Sequence, residues 1–340
     1  MRLLQFVGLI ACAYLLAGAP VSGQTVPRCP YGQGIPVETC TNNPHPDPIP
    51  TALGGHQIGD ASCSSTIVRA LASLYSYDDP TCRPANTNIS PELKYIGGAS
   101  DYLPSYYKSL AENGNFHGTL YCDNASNTLV LAYRGSVQLT PLVDRKLIAD
   151  WWNTNILQHI GFLPLEYGVA SDAAQLILWR LAGGDFDGIC GPGRPKIILA
   201  GHSKGGGQAQ YAAFQLMQDA VVFNSDLVNP IIFRDWVLTP DAPAILQWVQ
   251  ATGRTFQSMT KCFPSTDDDS LRQYYARGNI IDVRMVNDPF AKYFLPYCSL
   301  PHADIEWLSD TLTCSVNDGH AIDTVVRELK ACAPPIPRQP

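Results

Sequence analysis

Residues 196–207 read KIILAGHSKGGG, and this stretch decides the fold class. Its first five residues form a short, mostly apolar run of the kind that parallel sheets bury on both faces. The sequence GHSKG follows at 201–205, and helical apolar spacing returns over 208–217. A G-x-S-x-G motif between a strand and a helix is typical of a nucleophile elbow, whose strained turn exposes a serine hydroxyl. The stretch therefore predicts Ser203 as a nucleophile, whereas a phosphate-binding loop would need the G-K-[ST] sequence that is absent here.

Strand and helix patterns alternate along much of the remaining chain. Two strand patterns flank a turn-rich segment at 123–127, which predicts a hairpin. The predicted strands are 118–122, 128–133, 220–223 and 280–286, and the predicted helices are 67–75, 167–181 and 321–332. This alternation predicts an α/β protein with a doubly wound, mostly parallel sheet.

The composition excludes several classes of protein. Of the 340 residues, 46% are hydrophobic and 16% are charged, so the chain is not intrinsically disordered. The formal net charge is −7 and no block of five basic residues occurs, which argues against nonspecific nucleic-acid binding. The same acidic balance argues against charge-driven docking on anionic membranes.

The N-terminus predicts export. A short positive end precedes an apolar run over 3–19 and small residues up to Gly23, a pattern typical of a secretory signal peptide at 1–23. An uncleaved anchor helix and a lipoprotein signal at Cys12 remain alternatives. After cleavage no integral membrane span of about 20 apolar residues would remain. We therefore expect a secreted protein, extracellular or periplasmic, with a Cys/Pro-rich lead-in at 24–90 packed on an α/β domain at 91–333.

Cysteine usage supports an oxidising compartment. Removal of 1–23 would leave ten of the eleven cysteines, enough for up to five disulfides whose pairing the sequence does not give. Cys314 and Cys332 bracket His320, and we expect at least one of them to be bridged.

A general base and an acid must lie after the serine, because this fold class orders its triad as Ser, then Asp or Glu, then His. That order leaves His320 and His302 as candidate bases. His320 is favoured, because it follows an Asn-Asp-Gly turn and precedes the last predicted helix. Asp288 leaves the 280–286 strand and is the favoured acid. The rival acids are Asp241, Asp304 and Asp310.

Two donors are expected to form an oxyanion hole. The backbone N–H of Lys204 follows the nucleophile, and such groups stabilise the charge that develops on a carbonyl oxygen. The loop at 134–136 leaves the 128–133 strand and offers the second donor. The hydroxyl of Ser136 is the candidate for a further donor.

The chain resembles the class 3, or fungal-lipase-like, family of α/β-hydrolases over roughly residues 90–332. The resemblance rests on LAYRGS at 131–136, DW at 150–151, HIGF at 159–162, the elbow at 201–206 and VNDP at 286–289. It implies an α/β-hydrolase fold with Ser203, Asp288 and His320 as the triad and Ser136 and Lys204 at the oxyanion hole. The family usually has an apolar residue where Lys204 stands.

The residues and the resemblance together predict a serine hydrolase that cleaves carboxylic esters, by resemblance those of lipids, through an acyl-enzyme. No metal or organic cofactor is implied. The expected partners are an ester or lipid substrate and a transient lipid interface, without nucleic acid. Trp151-Trp152 and 156–165 predict either a lid and acyl-binding wall or ordinary core. The alternatives are a phospholipase or acyltransferase on the same fold, and a catalytically silent binding protein.

Overall fold

The computed structural model describes residues 29–32, 41–42, 56–105, 108, 116–136, 163–226, 228, 280–288, 304–313 and 319–332. Several predictions lie outside these residues. They concern the signal peptide, the segments at 150–151 and 159–162, the Trp151-Trp152 pair, His302, and nearly all of the long insertion at 225–275.

A nine-stranded sheet forms the centre of the molecule. The described strands are β1 (Thr41–Asn42), β2 (His56–Gln57), β3 (Thr87–Asn88), β4 (Leu93–Gly98), β5 (Gly118–Asp123), β6 (Thr128–Tyr133), β7 (Lys196–His202), β8 (Ala220–Phe223), β9 (Ile280–Met285), β10 (Asp304–Leu308) and β11 (Leu312–Thr313), of which β1 and β11 pair separately. The order in the sheet is β2-β10-β9-β8-β7-β6-β5-β4-β3. Neighbouring strands are parallel from β2 to β6 and antiparallel from β6 to β3. The mostly parallel sheet that the sequence predicts is therefore confirmed.

Helices cover both faces of the sheet. The described α-helices are α1 (Asp60–Tyr75), α2 (Leu165–Gly183), α3 (Lys204–Leu216) and α4 (Ile322–Cys332), and short 3₁₀ turns occur at Pro80–Cys82 and Ala99–Tyr102. One core joins α2 and α3 to the sheet, and the opposite face packs against α1 and α4. In the part of the chain that the structure describes, no helix combines the length and apolarity needed to cross a bilayer.

The two faces follow from the side-chain alternation of the central strands. On β6, Leu129 and Leu131 face α2 and α3, whereas Val130 and Ala132 face α1. Every residue of β6 is buried. A strand that is buried on both faces reads as a continuous apolar run, and for that reason its sequence was recognisable.

Helix α1 begins at Asp60, seven residues before the predicted start at residue 67. Its polar first turns give no helical pattern, but Cys63 is fully buried and bonded to Cys332 of α4. Residues 56–75 of the predicted lead-in thus supply a strand and a helix to the layered core. The domain boundary near residue 90 stays a prediction.

Three disulfides join described residues: Cys29–Cys82, Cys63–Cys332 and Cys122–Cys190. They confirm the expectation of disulfides, including a bridge at Cys332. The Cys63–Cys332 bond joins α1 to α4 across 269 residues of sequence. Because α4 directly follows the His320 loop, the bond holds the end of that loop near α1.

Candidate active site

Ser203 occupies a sharp turn between β7 and α3, with φ 56° and ψ −126°. A non-glycine residue in such a conformation costs on the order of 1–3 kcal/mol, and surrounding contacts must hold it. The Ser203 N–H donates to the Phe223 carbonyl at 3.1 Å, and the Ser203 carbonyl accepts from the Asp226 N–H at 2.8 Å. Both contacts come from the end of β8, which thereby fixes the turn.

Glycines around Ser203 permit close backbone packing. A Cβ at Gly201 would lie 2.2 Å from the Gly205 carbonyl oxygen, and a Cβ at Gly205 would lie 2.2 Å from the Tyr133 carbonyl oxygen. Helix α3 therefore starts at Lys204, four residues before the predicted 208, because its glycine-rich first turn can press against β6. Packing outweighs the cost of about 1 kcal/mol that each glycine adds to a helix relative to alanine.

A chain of hydrogen bonds joins Ser203, His320 and Asp288. The distance from Ser203 Oγ to His320 Nε2 is 2.9 Å, and that from His320 Nδ1 to Asp288 Oδ1 is 3.0 Å. Because a carboxylate only accepts, His320 Nδ1 carries the proton and donates to Asp288. His320 Nε2 then accepts from the serine hydroxyl. This is the tautomer that a general base needs in order to take the serine proton.

Buried charges surround Asp288, whose exposure is 0%. Arg284 Nη1 lies 3.8 Å from Asp288 Oδ2, while Arg284 Nε donates to Asp282 Oδ2 at 2.8 Å. Burial raises the pKa of Asp282, and the Arg284 guanidinium opposes that rise. Arg284 Nη2 also donates to the Ser225 carbonyl at 2.7 Å. Arg284 thus contacts both Asp282 in β9 and Asp288 in the turn that follows, and this helps to hold Asp288 within hydrogen-bond distance of His320.

The loop that carries His320 is held by Asn224, at the end of β8. Asn224 Nδ2 donates to the Gly319 carbonyl at 2.8 Å and to the His320 carbonyl at 3.1 Å. Its Oδ1 accepts from the Met285 N–H at 2.8 Å. Asn224 has φ 40°, a left-handed conformation that asparagine adopts more readily than most residues. One side chain therefore joins β8, β9 and the histidine loop.

Gly319 fits the same loop closely. A Cβ on Gly319 would lie 2.1 Å from Asn287 Oδ1, so no larger residue fits without displacement. Asn287 in turn donates from Nδ2 to Asp310 Oδ2 at 2.7 Å. Asp310 thus supports the turn that carries Asp288, and the described contacts do not bring it to His320.

His202 lies directly before Ser203, and both of its ring nitrogens contact groups other than the Ser203 hydroxyl. His202 Nδ1 lies 2.7 Å from the Tyr77 hydroxyl, and His202 Nε2 lies 2.5 Å from the His320 carbonyl oxygen. Burial holds the pKa of His202 well below its usual value of 6.5, and the neighbouring His320 lowers it further. His202 is therefore neutral near pH 7 and does not face the Ser203 proton.

The loop at 134–136 lies against the elbow. A Cβ on Gly135 would lie 2.5 Å from the His202 carbonyl oxygen. The buried Oγ of Ser136 has no hydrogen-bond partner among the described residues. Buried polar groups are almost always paired, so this hydroxyl is exceptional, and its role as an oxyanion donor stays a prediction.

Lys204 supplies the other candidate donor. It is the first residue of α3, where backbone N–H groups have no acceptor within the helix and the helix end carries partial positive charge. The Lys204 side chain is buried, with an exposure of 1%. Its charge and that of Arg134 lower the pKa of His117, which burial already holds well below 6.5.

The remaining candidates are two acids and one histidine. Asp304 begins β10, and Asp241 and His302 lie outside the described residues. Within the described ranges, no group of three or more His, Cys, Asp or Glu residues is placed to hold a metal ion. Sequence reasoning did not find Tyr77, Asn224 or Arg284. The charges of Asp282 and Arg284 within an apolar strand were the one available signal.

Comparison with known proteins relates the chain to lipid hydrolases. A phospholipase-like family profile, described as the Tle-like phospholipase domain, matches residues 68–281, which is more than half of the chain. No curated protein sequence matches the chain significantly. The family match and the sheet together confirm the predicted resemblance to fungal-lipase-like α/β-hydrolases.

Solved fungal lipases are similar to the chain at low identity. A mutant form of MDLA from Penicillium cyclopium is 14% identical with a TM-score of 0.40, over 77% of this chain and 86% of that one. The Lip2 lipase from Yarrowia lipolytica is 14% identical with a TM-score of 0.39, over 80% and 92%. The native propeptide complex of Rhizomucor miehei lipase is 14% identical with a TM-score of 0.36, over 92% and 94%.

Proposed function

The chain belongs to the phospholipase-like family that carries the Tle-like phospholipase domain, and on this premise we propose that it is a serine hydrolase that cleaves the carboxylic esters of phospholipids through an acyl-enzyme on Ser203. The observation that carries the proposal is the hydrogen-bonded chain from Ser203 through His320 to Asp288, at 2.9 and 3.0 Å. A serine with an adjacent base, itself oriented by a third group, is the arrangement that activates a hydroxyl nucleophile.

Acylation begins when His320 Nε2 takes the proton of the Ser203 hydroxyl as Oγ attacks the acyl carbonyl. The carbonyl oxygen becomes an oxyanion, which accepts hydrogen bonds from the Lys204 N–H and the Ser136 hydroxyl. The bond between the carbonyl carbon and the glycerol oxygen then breaks. His320 gives its proton to that oxygen, a lysophospholipid leaves, and the acyl group stays on Ser203.

Deacylation repeats these steps with water as the nucleophile. His320 takes a proton from the water while the water oxygen attacks the acyl carbon, and the same two donors stabilise the second oxyanion. The bond to Ser203 Oγ breaks and His320 returns the proton to it. A fatty acid leaves and the serine hydroxyl is restored, so the overall reaction consumes only the ester and water.

Electrostatics favour the imidazolium that forms at both stages. The positive charge on His320 develops next to the Asp288 carboxylate, which is fully buried and therefore poorly screened by water. Arg284 neutralises one of the two nearby carboxylates, Asp282 and Asp288. The buried set thus retains one negative charge, which the imidazolium balances.

Export is part of the proposal. Three disulfides among the described residues support folding in an oxidising compartment, where such bonds persist. An extracellular or periplasmic location would also bring the protein to lipid surfaces of other cells or of the envelope.

Product analysis on phospholipid vesicles tests the proposal. The wild-type protein, Ser203→Ala, and Ser64→Ala as a control on the exposed side of α1 are each incubated with phosphatidylcholine vesicles and, separately, with triacylglycerol emulsions. We expect fatty acid and lysophosphatidylcholine from the wild type and Ser64→Ala, and no products above background from Ser203→Ala. Release of phosphocholine, or unchanged turnover by Ser203→Ala, would contradict the proposal.

A further inference from the structure

We propose that Tyr77 and His202 form a neutral hydrogen-bonded bridge that positions both the His320 backbone and the loop at 134–136 for the reaction. This Tyr77–His202 bridge rests on the proposed function, since it acts on the residues to which that function assigns catalysis. Neither Tyr77 nor His202 touches the reacting atoms in this scheme. Both are positioning residues.

The direction of each hydrogen bond follows from one acceptor. The His320 carbonyl oxygen can only accept, so His202 Nε2, 2.5 Å away, carries a proton and donates to it. In the neutral ring Nδ1 then has a lone pair and accepts from the Tyr77 hydroxyl at 2.7 Å. The Tyr77 hydroxyl also packs against Gly135, where a Cβ would lie 2.1 Å from the hydroxyl oxygen. One chain of donors thus runs from Tyr77 through His202 to His320, and its Tyr77 end lies against Gly135.

The bridge connects parts of the chain that are remote in sequence. Gly135 follows β6, Tyr77 follows α1, His202 ends β7, and His320 precedes α4. The bridge therefore fixes the oxyanion loop and the base loop relative to the same elbow. The fit at its outer end is tight, because a Cβ on Gly135 would lie 2.1 Å from the Tyr77 hydroxyl oxygen.

The bridge functions only while His202 is uncharged. A second proton on Nδ1 would face the hydroxyl of Tyr77, which would have to turn its own proton away. The ring centroids of His202 and His320 lie 4.9 Å apart, so a charged His202 would also oppose the imidazolium on His320. Burial of His202 holds its pKa well below 6.5 and keeps the ring neutral.

Anchoring the His320 carbonyl has a direct effect on proton transfer. His320 Nε2 must reach both the Ser203 oxygen and the leaving oxygen, and small displacements of a catalytic group lower rates strongly. Asp288 fixes the ring through Nδ1, whereas His202 and Asn224 fix the backbone by donating to one carbonyl, at 2.5 and 3.1 Å. The ring and the backbone of the base are thus held by different residues.

Tyr77→Phe tests the bridge by removing its central hydroxyl while keeping the aromatic ring. Rates are measured on a soluble p-nitrophenyl ester and divided by the number of active sites that a fluorophosphonate titrates. We expect kcat to fall about fivefold with KM changed less than twofold, the size expected for one intramolecular hydrogen bond. The control is Tyr75→Phe, two residues earlier, where the ring packs against the Arg83 guanidinium and not against His202. Its kcat should equal the wild-type value.

A pair of substitutions at His202 separates hydrogen bonding from packing. His202→Gln retains an amide N–H that can donate to the His320 carbonyl, whereas His202→Leu retains volume alone. We expect the glutamine variant to keep several times the kcat of the leucine variant at equal KM. Equal kcat in the two variants would overturn the bridge, as would a Tyr77→Phe protein that loses thermal stability but keeps wild-type kcat per titrated site.

Nitrogen-15 NMR of histidine-labelled protein examines the bridge without relying on turnover. The His202 signals, assigned by their loss in His202→Gln, should show a protonated Nε2 and an unprotonated Nδ1 at pH 7. The Nδ1 signal should shift in Tyr77→Phe and stay in place in Tyr75→Phe. A His202 ring that is doubly protonated at pH 7, or that carries its single proton on Nδ1, would overturn the bridge. If the wild type shows no Ser203-dependent turnover, the proposed function fails and these spectra decide the bridge alone.

Discussion

Replacing Asp288 by asparagine should nearly abolish turnover while leaving the fold intact. The asparagine amide has one oxygen and one NH₂ group. Its two neighbours, Arg284 and His320, determine which of these groups each of them faces. The Arg284 guanidinium, 3.8 Å from Asp288 Oδ2, only donates and therefore selects the amide oxygen. The NH₂ group is then left to face His320 Nδ1, at the position of the 3.0 Å hydrogen bond.

This orientation forces the wrong histidine tautomer. With a donor facing it, His320 Nδ1 becomes the acceptor and Nε2 takes the ring proton, so the ring cannot accept the Ser203 proton. The same substitution in the Ser-His-Asp template lowers kcat about 10⁴-fold, equivalent to about 5.4 kcal/mol of transition-state stabilisation. We expect a fall of that order here. The charge of Arg284 remains paired with Asp282, at 2.6 Å, so the variant should fold.

The assay is steady-state hydrolysis of a soluble ester, with circular dichroism as the check on folding. Asp310→Asn is the matched control, because Asp310 is also buried, was a rival acid and accepts a hydrogen bond from Asn287 that an amide oxygen can also accept. Its kcat should stay within tenfold of the wild-type value. If Asp288→Asn keeps more than a tenth of wild-type kcat, or if Asp310→Asn loses as much as Asp288→Asn, the proposed role of Asp288 is wrong.

Further predictions concern the oxyanion loop, a disulfide, pH and the elbow. Ser136→Ala should lower kcat by at most about 10²–10³-fold, because one oxyanion donor of two is lost, and unchanged kcat would remove the hydroxyl from the mechanism. Replacing Cys63 and Cys332 by serine should lower the free energy of unfolding by about 2–5 kcal/mol in urea titrations, and no change would contradict a bond between them. The pKa of His202 in the folded protein lies below 6.5, so as the pH falls the unfolded chain protonates this histidine before the folded protein does. The free energy of unfolding should therefore decrease below pH 6.5 by up to about 1.4 kcal/mol per pH unit. In His202→Gln the free energy of unfolding should depend less steeply on pH. Gly205→Ala should lower stability and kcat together, because the new Cβ would meet the end of β6, and a wild-type melting temperature would show that the helix can move aside.

The central strands were predictable because their burial on both faces of the sheet is visible in their sequences as continuous apolar runs. The apolar run at 196–200 and the hairpin at 118–133 became β7, β5 and β6 with nearly the predicted limits. The run 220–223 became β8 with the predicted limits. Strands buried on both faces must be apolar throughout, so their positions can be found without knowing their neighbours.

Short and polar elements were not predictable from local pattern. The strands β2 and β3 have two residues each, too few to establish alternation. The first turns of α1 are polar, and their place in the core depends on Cys63, whose partner is 269 residues away. In both cases the stabilising contact is tertiary, and a window of adjacent sequence does not contain it.

The candidate site divides in the same way. Ser203, Asp288 and His320 could be proposed from chain order and from their positions at the ends of predicted elements, and the structure brings these three side chains together. Asn224 and Tyr77 could not be proposed, because each acts through hydrogen bonds to loops that only the folded sheet brings near. Positioning residues of this kind have no motif of their own.

The most direct test of the central claim is the site at which a fluorophosphonate reacts, mapped by mass spectrometry of proteolytic peptides. The wild-type protein should carry one adduct, on Ser203, because His320 activates only that hydroxyl. The adduct should be absent from Ser203→Ala and should form far more slowly in His320→Ala. Labelling of a different serine in the wild type, or equal labelling of Ser203 in His320→Ala, would contradict an acyl-enzyme mechanism at this site.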